Sequence, residues 1–323
     1  MNNKLYISMY HYTRDLKNSK YPNIKGLDLP LFEQQLQFFN DNFNVVKMED
    51  VLSAFNGDNH LPDKALLLTF DDGYIDNYDV ALPLLLKYGF QGSFFIPAKT
   101  FNENKILDVN KIHFILACVE IKSNITELRD DIFSLLKTYR DSYDIATDDE
   151  LYEKYAIANR FDDKDTIFCK RVLQTALPKE VRNNITDILF NKYVGVNQEE
   201  FAKQLYLNKK QIQEMKQAGM FIGVHGYNHE WLGDLSKEEF IKDLDKAIEV
   251  MDEFIDKDNW VMNYPYGSYN QDVIDYISSK GCKLGLITAV RTVDIEKDNP
   301  YELPRFDCND FPPKSERYLS FNI

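Results

Sequence analysis

Two adjacent carboxylates, Asp71 and Asp72, close the apolar run Ala65-Leu66-Leu67-Leu68 in the segment Thr69-Phe70-Asp71-Asp72-Gly73. Successive side chains of a strand face opposite ways, so packing against a core cannot account for both acids. Paired charges beside a hydrophobic core are costly unless a cation lies between them. A metal ion meets that need; an acidic turn ahead of Gly73 is the other reading. Far downstream, Phe221-Ile222-Gly223-Val224 runs into His225-Gly226-Tyr227-Asn228-His229, which holds two of the five histidines of the chain. Imidazole with carboxylate is a common ligand set for Zn²⁺ and similar first-row ions, and three protein ligands leave positions for water and substrate. Spacing of four puts both imidazoles on one face of a helix. In a loop after a strand, Gly226 lets the backbone turn both to the same end.

Two further segments follow in order, Asn263-Tyr264-Pro265-Tyr266-Gly267 and Leu303-Pro304-Arg305-Phe306-Asp307. Together with the Asp-Asp and His-x-x-x-His segments they resemble the polysaccharide deacetylase family with the NodB-homology domain, over roughly residues 1–100 and 206–312. The resemblance implies a divalent metal held by Asp72, His225 and His229, with Asp71 as general base and the backbone N–H of Tyr266 as donor to the oxyanion. Acetamide hydrolysis needs these parts in any case. A bound divalent ion acidifies water and polarises the carbonyl, and a donor in a rigid turn meets the developing charge without reorganising. Apart from this company, Tyr264–Gly267 reads as an ordinary turn, which Pro and Gly favour in any protein.

The leaving amine also needs a proton, and here the chain departs from the common family pattern, because no histidine follows His229. His11, His60 and His113 remain. His11 ends the strand-like run Leu5–Tyr10, and a parallel barrel would bring it to the rim that carries Asp72. Tyr10-His11 is also similar to the poly-N-acetylglucosamine deacetylase branch, in which an N-terminal His takes the acid role. The competing reading of His11 is a strand-end imidazole bonded to a neighbouring loop. His113 reads as one residue of an amphipathic helix. A second departure is Asn263, which stands where family members often carry the arginine that orients the base. Arg305 is the substitute: a fixed guanidinium near Asp71 would lower its pKa and hold its rotamer. A surface arginine after Pro304 is the alternative.

The elements that must position these groups alternate strand and helix, the pattern of a parallel α/β fold. Leu31 to Asn42 reads as a helix with Pro30 at its start, and Val80 to Tyr88 as one stopped by Gly89. Gly92–Pro97 is a strand, and helix 208–218 leads into the His strand. Ser236-Lys237-Glu238-Glu239 caps a helix to about Ile255, and Trp260–Met262 is a strand leading to the Pro-Tyr-Gly turn. Gln271 to Lys280 is a helix closed by Gly281, and Cys282 to Thr288 is a strand. The fold class expected is α/β, a distorted, incomplete (β/α) barrel with a large helical insertion. The barrel is discontinuous, 1–100 and 206–323. Residues 101–205 carry helical spacing, as in Ile132-Phe133-Leu135-Leu136 and Val181-Ile185-Ile188-Leu189, and almost no glycine. This insertion reads as a lid or specificity subdomain, or else as a dimerisation or stabilising appendage.

With 323 residues and 44% hydrophobic content the chain can bury a substantial core, and a net charge of −14 argues against nucleic-acid or anionic-membrane partners. Cys118, Cys169, Cys282 and Cys308 lack metal or redox spacing and read as reduced core thiols. No stretch has the length of a membrane span or the character of a signal segment, which points to the cytoplasm. The function expected is a metal-dependent hydrolase removing N-acetyl from an amino sugar or its glycoconjugate precursor, nucleotide- or lipid-linked, with Zn²⁺ ahead of Co²⁺, Ni²⁺ or Fe²⁺. The alternatives are de-N-formylation, O-deacetylation of sugars, and a catalytically inactive carbohydrate-binding barrel.

Overall fold

The structure is a computed structural model and describes residues 4–160 and 162–321. Six strands, Lys4–Tyr10, Ala65–Asp71, Gly92–Ile96, Phe221–Val224, Trp260–Asn263 and Cys282–Leu286, lie side by side in chain order, each parallel to the next. The first and last of them do not pair. Between them stand Val293–Asp294, antiparallel to Lys4-Leu5, the strand Phe306–Asp307, parallel to Ser8-Met9, and a single bridge from Leu286 to Leu303. The result is the expected distorted, incomplete (β/α) barrel.

Period-two alternation divides the apolar side chains into two cores. Leu66, Leu68 and Phe70 face outward with Phe94, Ile222 and Met262 to meet helix residues such as Phe32, Leu36, Leu85 and Leu244. Ala65 and Leu67 face inward with Leu5, Ile7, Phe95, Val261, Leu284 and Leu303. Each fully buried side chain of this size is worth about 1.5–3 kcal/mol over an exposed one, which is what holds a charged rim in place. The same alternation sends Thr69 and Asp71 inward at the end of their strand.

The helices follow the local signals with shifts at their ends. The first runs Leu29–Asn42, two residues earlier than its apolar spacing suggests. Leu82–Tyr88 stops at left-handed Gly89 as expected, but a π-helical turn, Asn77–Ala81, stands where the α-helix was expected to begin. Lys237–Met251 starts at the capping box of Ser236 and Glu239. It ends short of Ile255 because the chain tightens there, with the Phe254 N–H donating to the Met251 carbonyl at 2.8 Å. The strand Cys282–Leu286 likewise ends before Thr288.

The chain divides into two compact units: residues 1–15, 26–105 and 202–323 carry the barrel, and residues 16–25 with 106–201 form the other. The second unit is helical, with Asp108–Lys122, Ile125–Lys137, Asp148–Tyr155, Lys164–Arg171 and Lys179–Tyr193 as its α-helices. Its core takes Ile132 and Leu136 from one helix and Val181, Ile185 and Leu189 from another, whereas Ile188 is exposed. Segment 16–25 joins this unit through Tyr21, whose ring packs on Phe114 at 4.9 Å and Phe201 at 5.7 Å. All four cysteines are buried and unpaired. Among the described residues no helix is long and apolar enough to cross a membrane.

Gly223 lies in the middle of the His strand, where a Cβ would meet the Phe95 ring at 2.4 Å and the Val261 carbonyl oxygen at 3.1 Å. Gly223→Ala is therefore expected to lower unfolding free energy by about 1–3 kcal/mol in urea titration. A loss below about 0.5 kcal/mol would mean that the strand does not need the bare backbone there.

Candidate active site

The inward turn of Thr69 and Asp71 brings them to Arg305, the residue before the short strand Phe306–Asp307. Arg305 Nη1 donates to Asp71 Oδ1 at 2.8 Å and Nη2 to Asp71 Oδ2 at 2.9 Å, a two-pronged pair between side chains that are 1% and 3% exposed. Its remaining donors reach Thr69 Oγ1 (3.2 Å), the Ile287 carbonyl (3.2 Å) and Asn263 Oδ1 (2.9 Å), so all five guanidinium N–H groups are engaged. Burial alone pushes the Asp71 carboxyl up, but the Arg305 charge and then His11 outweigh it and leave the carboxyl below its usual range. Asp71 is thus ionised at neutral pH. Its ionised form adds stability above the ordinary carboxylate pKa of about 4, and that stability is lost as pH falls through the lower folded value.

Asp72 is turned to the same rim by the backbone. A continuing strand would send it to the helical side, but its φ is 74°, and Gly73 follows at 65° with Ile96 Cγ2 only 2.7 Å from where a Cβ would stand. Asp72 Oδ2 accepts a hydrogen bond from the Tyr74 hydroxyl at 2.6 Å. Asp72 Oδ1 is buried without a hydrogen-bond partner and lies 3.4 Å from His225 Nε2 and 3.3 Å from His229 Nε2. Burial raises this carboxyl too, and the two imidazoles bring it well below the usual range.

The imidazoles are oriented by the loop after the His strand. His225 Nδ1 is 2.6 Å from the Asn263 carbonyl, which only accepts, so Nδ1 carries a proton and Nε2 is the ring atom turned toward Asp72. The buried carboxylate of Asp243 accepts from the N–H of Tyr227 (2.8 Å), the N–H of Asn228 (2.9 Å) and the Asn228 amide (2.7 Å), which fixes the path from His225 to His229. Lone pairs on Oδ1 and two imidazole nitrogens facing one another are unfavourable unless a cation lies among them or a ring is protonated. Tetrahedral ligands about 2.1 Å from an ion are about 3.4 Å apart, the spacing found here. The three ligand atoms lie within 4.8 Å of one another, and the set fits a divalent metal.

The other expected groups divide clearly. His11 follows the first strand, and its Nε2 is 3.8 Å from Asp71 Oδ2 with the side chain 41% exposed. Tyr266 adopts left-handed φ 59° in the turn Pro265–Gly267; its ring meets His229 edge-on at 4.6 Å and lies flat on Trp231 at 4.2 Å. His60 is exposed in the loop before the Asp strand, at the opposite end of that strand. His113 belongs to the helical unit, in Asp108–Lys122. Tyr74, Thr69, Trp231 and Asp243 escape the sequence reading. Of these only Thr69 carries a signal, since it shares the inward face with Asp71.

A family model described as polysaccharide deacetylase matches residues 58–131 and 152–285. The putative polysaccharide deacetylase YxkH of Bacillus subtilis (strain 168) is 32% identical over 98 residues, 30% of this chain and 33% of that protein, so the match spans only about a third of its length. The poly-beta-1,6-N-acetyl-D-glucosamine N-deacetylase of Staphylococcus aureus (strain MSSA476) is 25% identical over 262 residues, covering 75% of this chain and 87% of that one. Among solved structures, the Streptococcus pyogenes deacetylase PplD in complex with acetate superposes with a TM-score of 0.60 at 19% identity, over 98% of this chain and 96% of that chain. IcaB from Ammonifex degensii gives 0.55 at 16% identity, over 98% and 95%. At such identities these two speak for the fold.

Removing one partner of the buried Asp71–Arg305 pair leaves an uncompensated charge. Arg305→Met is expected to destabilise the protein by about 3–5 kcal/mol, and Arg305→Met combined with Asp71→Leu to recover most of that loss. Urea unfolding of the two single variants and the double variant measures the coupling; additive losses would mean that the pair is not the unit described.

Proposed function

The chain belongs to the polysaccharide deacetylase family, and from that premise we propose that it is a metal-dependent N-deacetylase acting on N-acetylglucosamine units of a glycan. The observation that carries the reading is Asp72 Oδ1 at 3.3 and 3.4 Å from two imidazole nitrogens, next to an Asp71 held in its own fork by Arg305. The name of the S. aureus relative moves the substrate from a nucleotide- or lipid-linked precursor toward a β-1,6-linked glucosamine polymer. Against an inactive barrel stands the set Asp71, Asp72, His225 and His229, all four of which the chain carries.

We assign the metal to Asp72, His225 and His229, with Zn²⁺ as the ion that suits this ligand set best. Once bound, such an ion supplies Lewis acidity, lowering the pKa of water and polarising an acyl oxygen. Asp71 is the base: Arg305 keeps it ionised and locks its rotamer, so a proton from the nucleophile moves to a carboxylate already in place. His11 gives the leaving amine its proton; its support is the 3.8 Å approach to Asp71 from the solvent side of the rim. The backbone N–H of Tyr266 meets the developing oxyanion, and its support is the left-handed turn that seats the residue against His229.

Acetate release from β-1,6-linked N-acetylglucosamine oligomers, chitooligomers and nucleotide sugars, each with Zn²⁺, Co²⁺, Ni²⁺ or Fe²⁺, tests the activity; no release from any acetylated sugar would overturn it. Asp72→Ala is expected to lose both metal and turnover, and Asp71→Asn to keep metal and lose turnover. Equal metal loss in both would reverse the role assignment. His11→Ala is expected to keep its metal and slow turnover by about 10²–10⁴-fold, and an undiminished rate would remove it as the acid.

A further inference from the structure

Asp72 has two oxygens, and the structure treats them differently. Oδ1 faces the two imidazole nitrogens without a donor, whereas Oδ2 is taken by the Tyr74 hydroxyl at 2.6 Å. We propose that Tyr74 is a positioning residue for the metal site: its hydroxyl holds Asp72 to one-oxygen ligation and thereby sets the affinity and coordination number of the ion. The inference rests on the reading of Asp72, His225 and His229 as metal ligands.

The hydroxyl can do this because its ring has little freedom. Tyr74 is fully buried, stacked on Tyr12 at 4.0 Å with the planes 19° apart and parallel to Tyr206 at 6.1 Å. The backbone around it is tied on both sides to one segment: the Ile75 N–H donates to the Leu205 carbonyl at 2.8 Å, and the Leu207 N–H to the Gly73 carbonyl at 2.9 Å. An ionised carboxylate oxygen only accepts, so in this contact the phenol hydroxyl is the donor. A buried phenol that donates to a carboxylate oxygen makes a short, charge-assisted bond, and freeing that oxygen would let the carboxylate rotate or bind through both atoms. Two-oxygen ligation suits larger, higher-coordinate ions better than tetrahedral Zn²⁺.

The test uses the full chain stripped of metal and titrated with Co²⁺, followed by visible absorption and by competition with a chelator. Wild type is expected to bind one Co²⁺ per chain with the strong visible bands of low coordination. Tyr74→Phe is expected to bind Co²⁺ about 10–100-fold more weakly, with weaker bands as the coordination number rises. A variant carrying 4-aminophenylalanine at position 74 keeps a donor on the ring and is expected to recover most of the affinity. Should Tyr74→Phe not fold, as judged by circular dichroism of the metal-free protein, 4-methylphenylalanine takes its place in the same comparison. If wild type binds no Co²⁺, the metal reading itself fails. If wild type binds and the variant without a donor matches it in affinity and spectrum, or the amino variant is as weak as that variant, the role of Tyr74 is overturned while the metal site stands.

Discussion

The pair of Asp71 and Arg305 holds together what the sheet alone leaves open. The barrel is incomplete between its first and last long strands, and at the rim the guanidinium joins the ends of separate elements: Thr69 and Asp71 from one strand, Asn263 from another, and the Ile287 carbonyl after the last. Taking two charges out of water is expensive, and a buried pair is often no more stabilising than apolar residues of the same volume. Here the desolvation is met by two charge-assisted bonds to Asp71 and by acceptors for every other N–H. The pair is better understood as fixing position than as adding stability, since a planar five-donor group accepts only one arrangement of its partners.

Around this clamp the backbone is bent into conformations that side chains usually avoid. Among the described residues five non-glycine positions have positive φ, and Asp72, His229 and Tyr266 are three of them. Each left-handed residue of this kind costs on the order of 1–3 kcal/mol and persists only where its surroundings over-determine it. Those surroundings are visible. The Asp243 carboxylate anchors the loop to His229, the paired segment 205–207 anchors the loop after Asp72, and the flat stack on Trp231 anchors Tyr266. The strain gathers at one rim because three chain reversals must point polar groups at one spot.

Much of this was legible in the chain because it is local. Apolar runs ending in Asp-Asp-Gly and in His-x-x-x-His announce strand ends, and Ser236 with Glu239 announces a helix start. Arg305 could be paired with Asp71 only through the resemblance, since 234 positions separate them, although Asn263 in the place of an arginine gave the hint. Tyr74 gave none: a tyrosine after Asp-Asp-Gly looks like any core aromatic until its hydroxyl is seen on Asp72. The two-residue strands Val293–Asp294 and Phe306–Asp307 are too short to carry a period, and segment 16–25 joins the helical unit through the buried Tyr21 ring and the Lys25–Asp162 ion pair, whose partners lie far along the chain.

The neighbouring acids show how one residue type acquires two environments within a single step of the chain. Asp71 stays on the strand and inherits its inward direction, so both of its oxygens meet the guanidinium. Asp72 leaves the strand through a left-handed turn, so one oxygen is satisfied by a phenol and the other is left facing two imidazole nitrogens. Neither carboxyl is pulled down by solvation, since both are buried; each is held ionised by a different cause, a fixed cation for Asp71 and the imidazole pair for Asp72. A base needs a lone pair within reach of a proton, and a ligand needs one aimed at a cation. The strand-to-turn break between residues 71 and 72 supplies both from the same two-carboxylate sequence, and the proposed division of labour follows from that break rather than from any difference in the side chains.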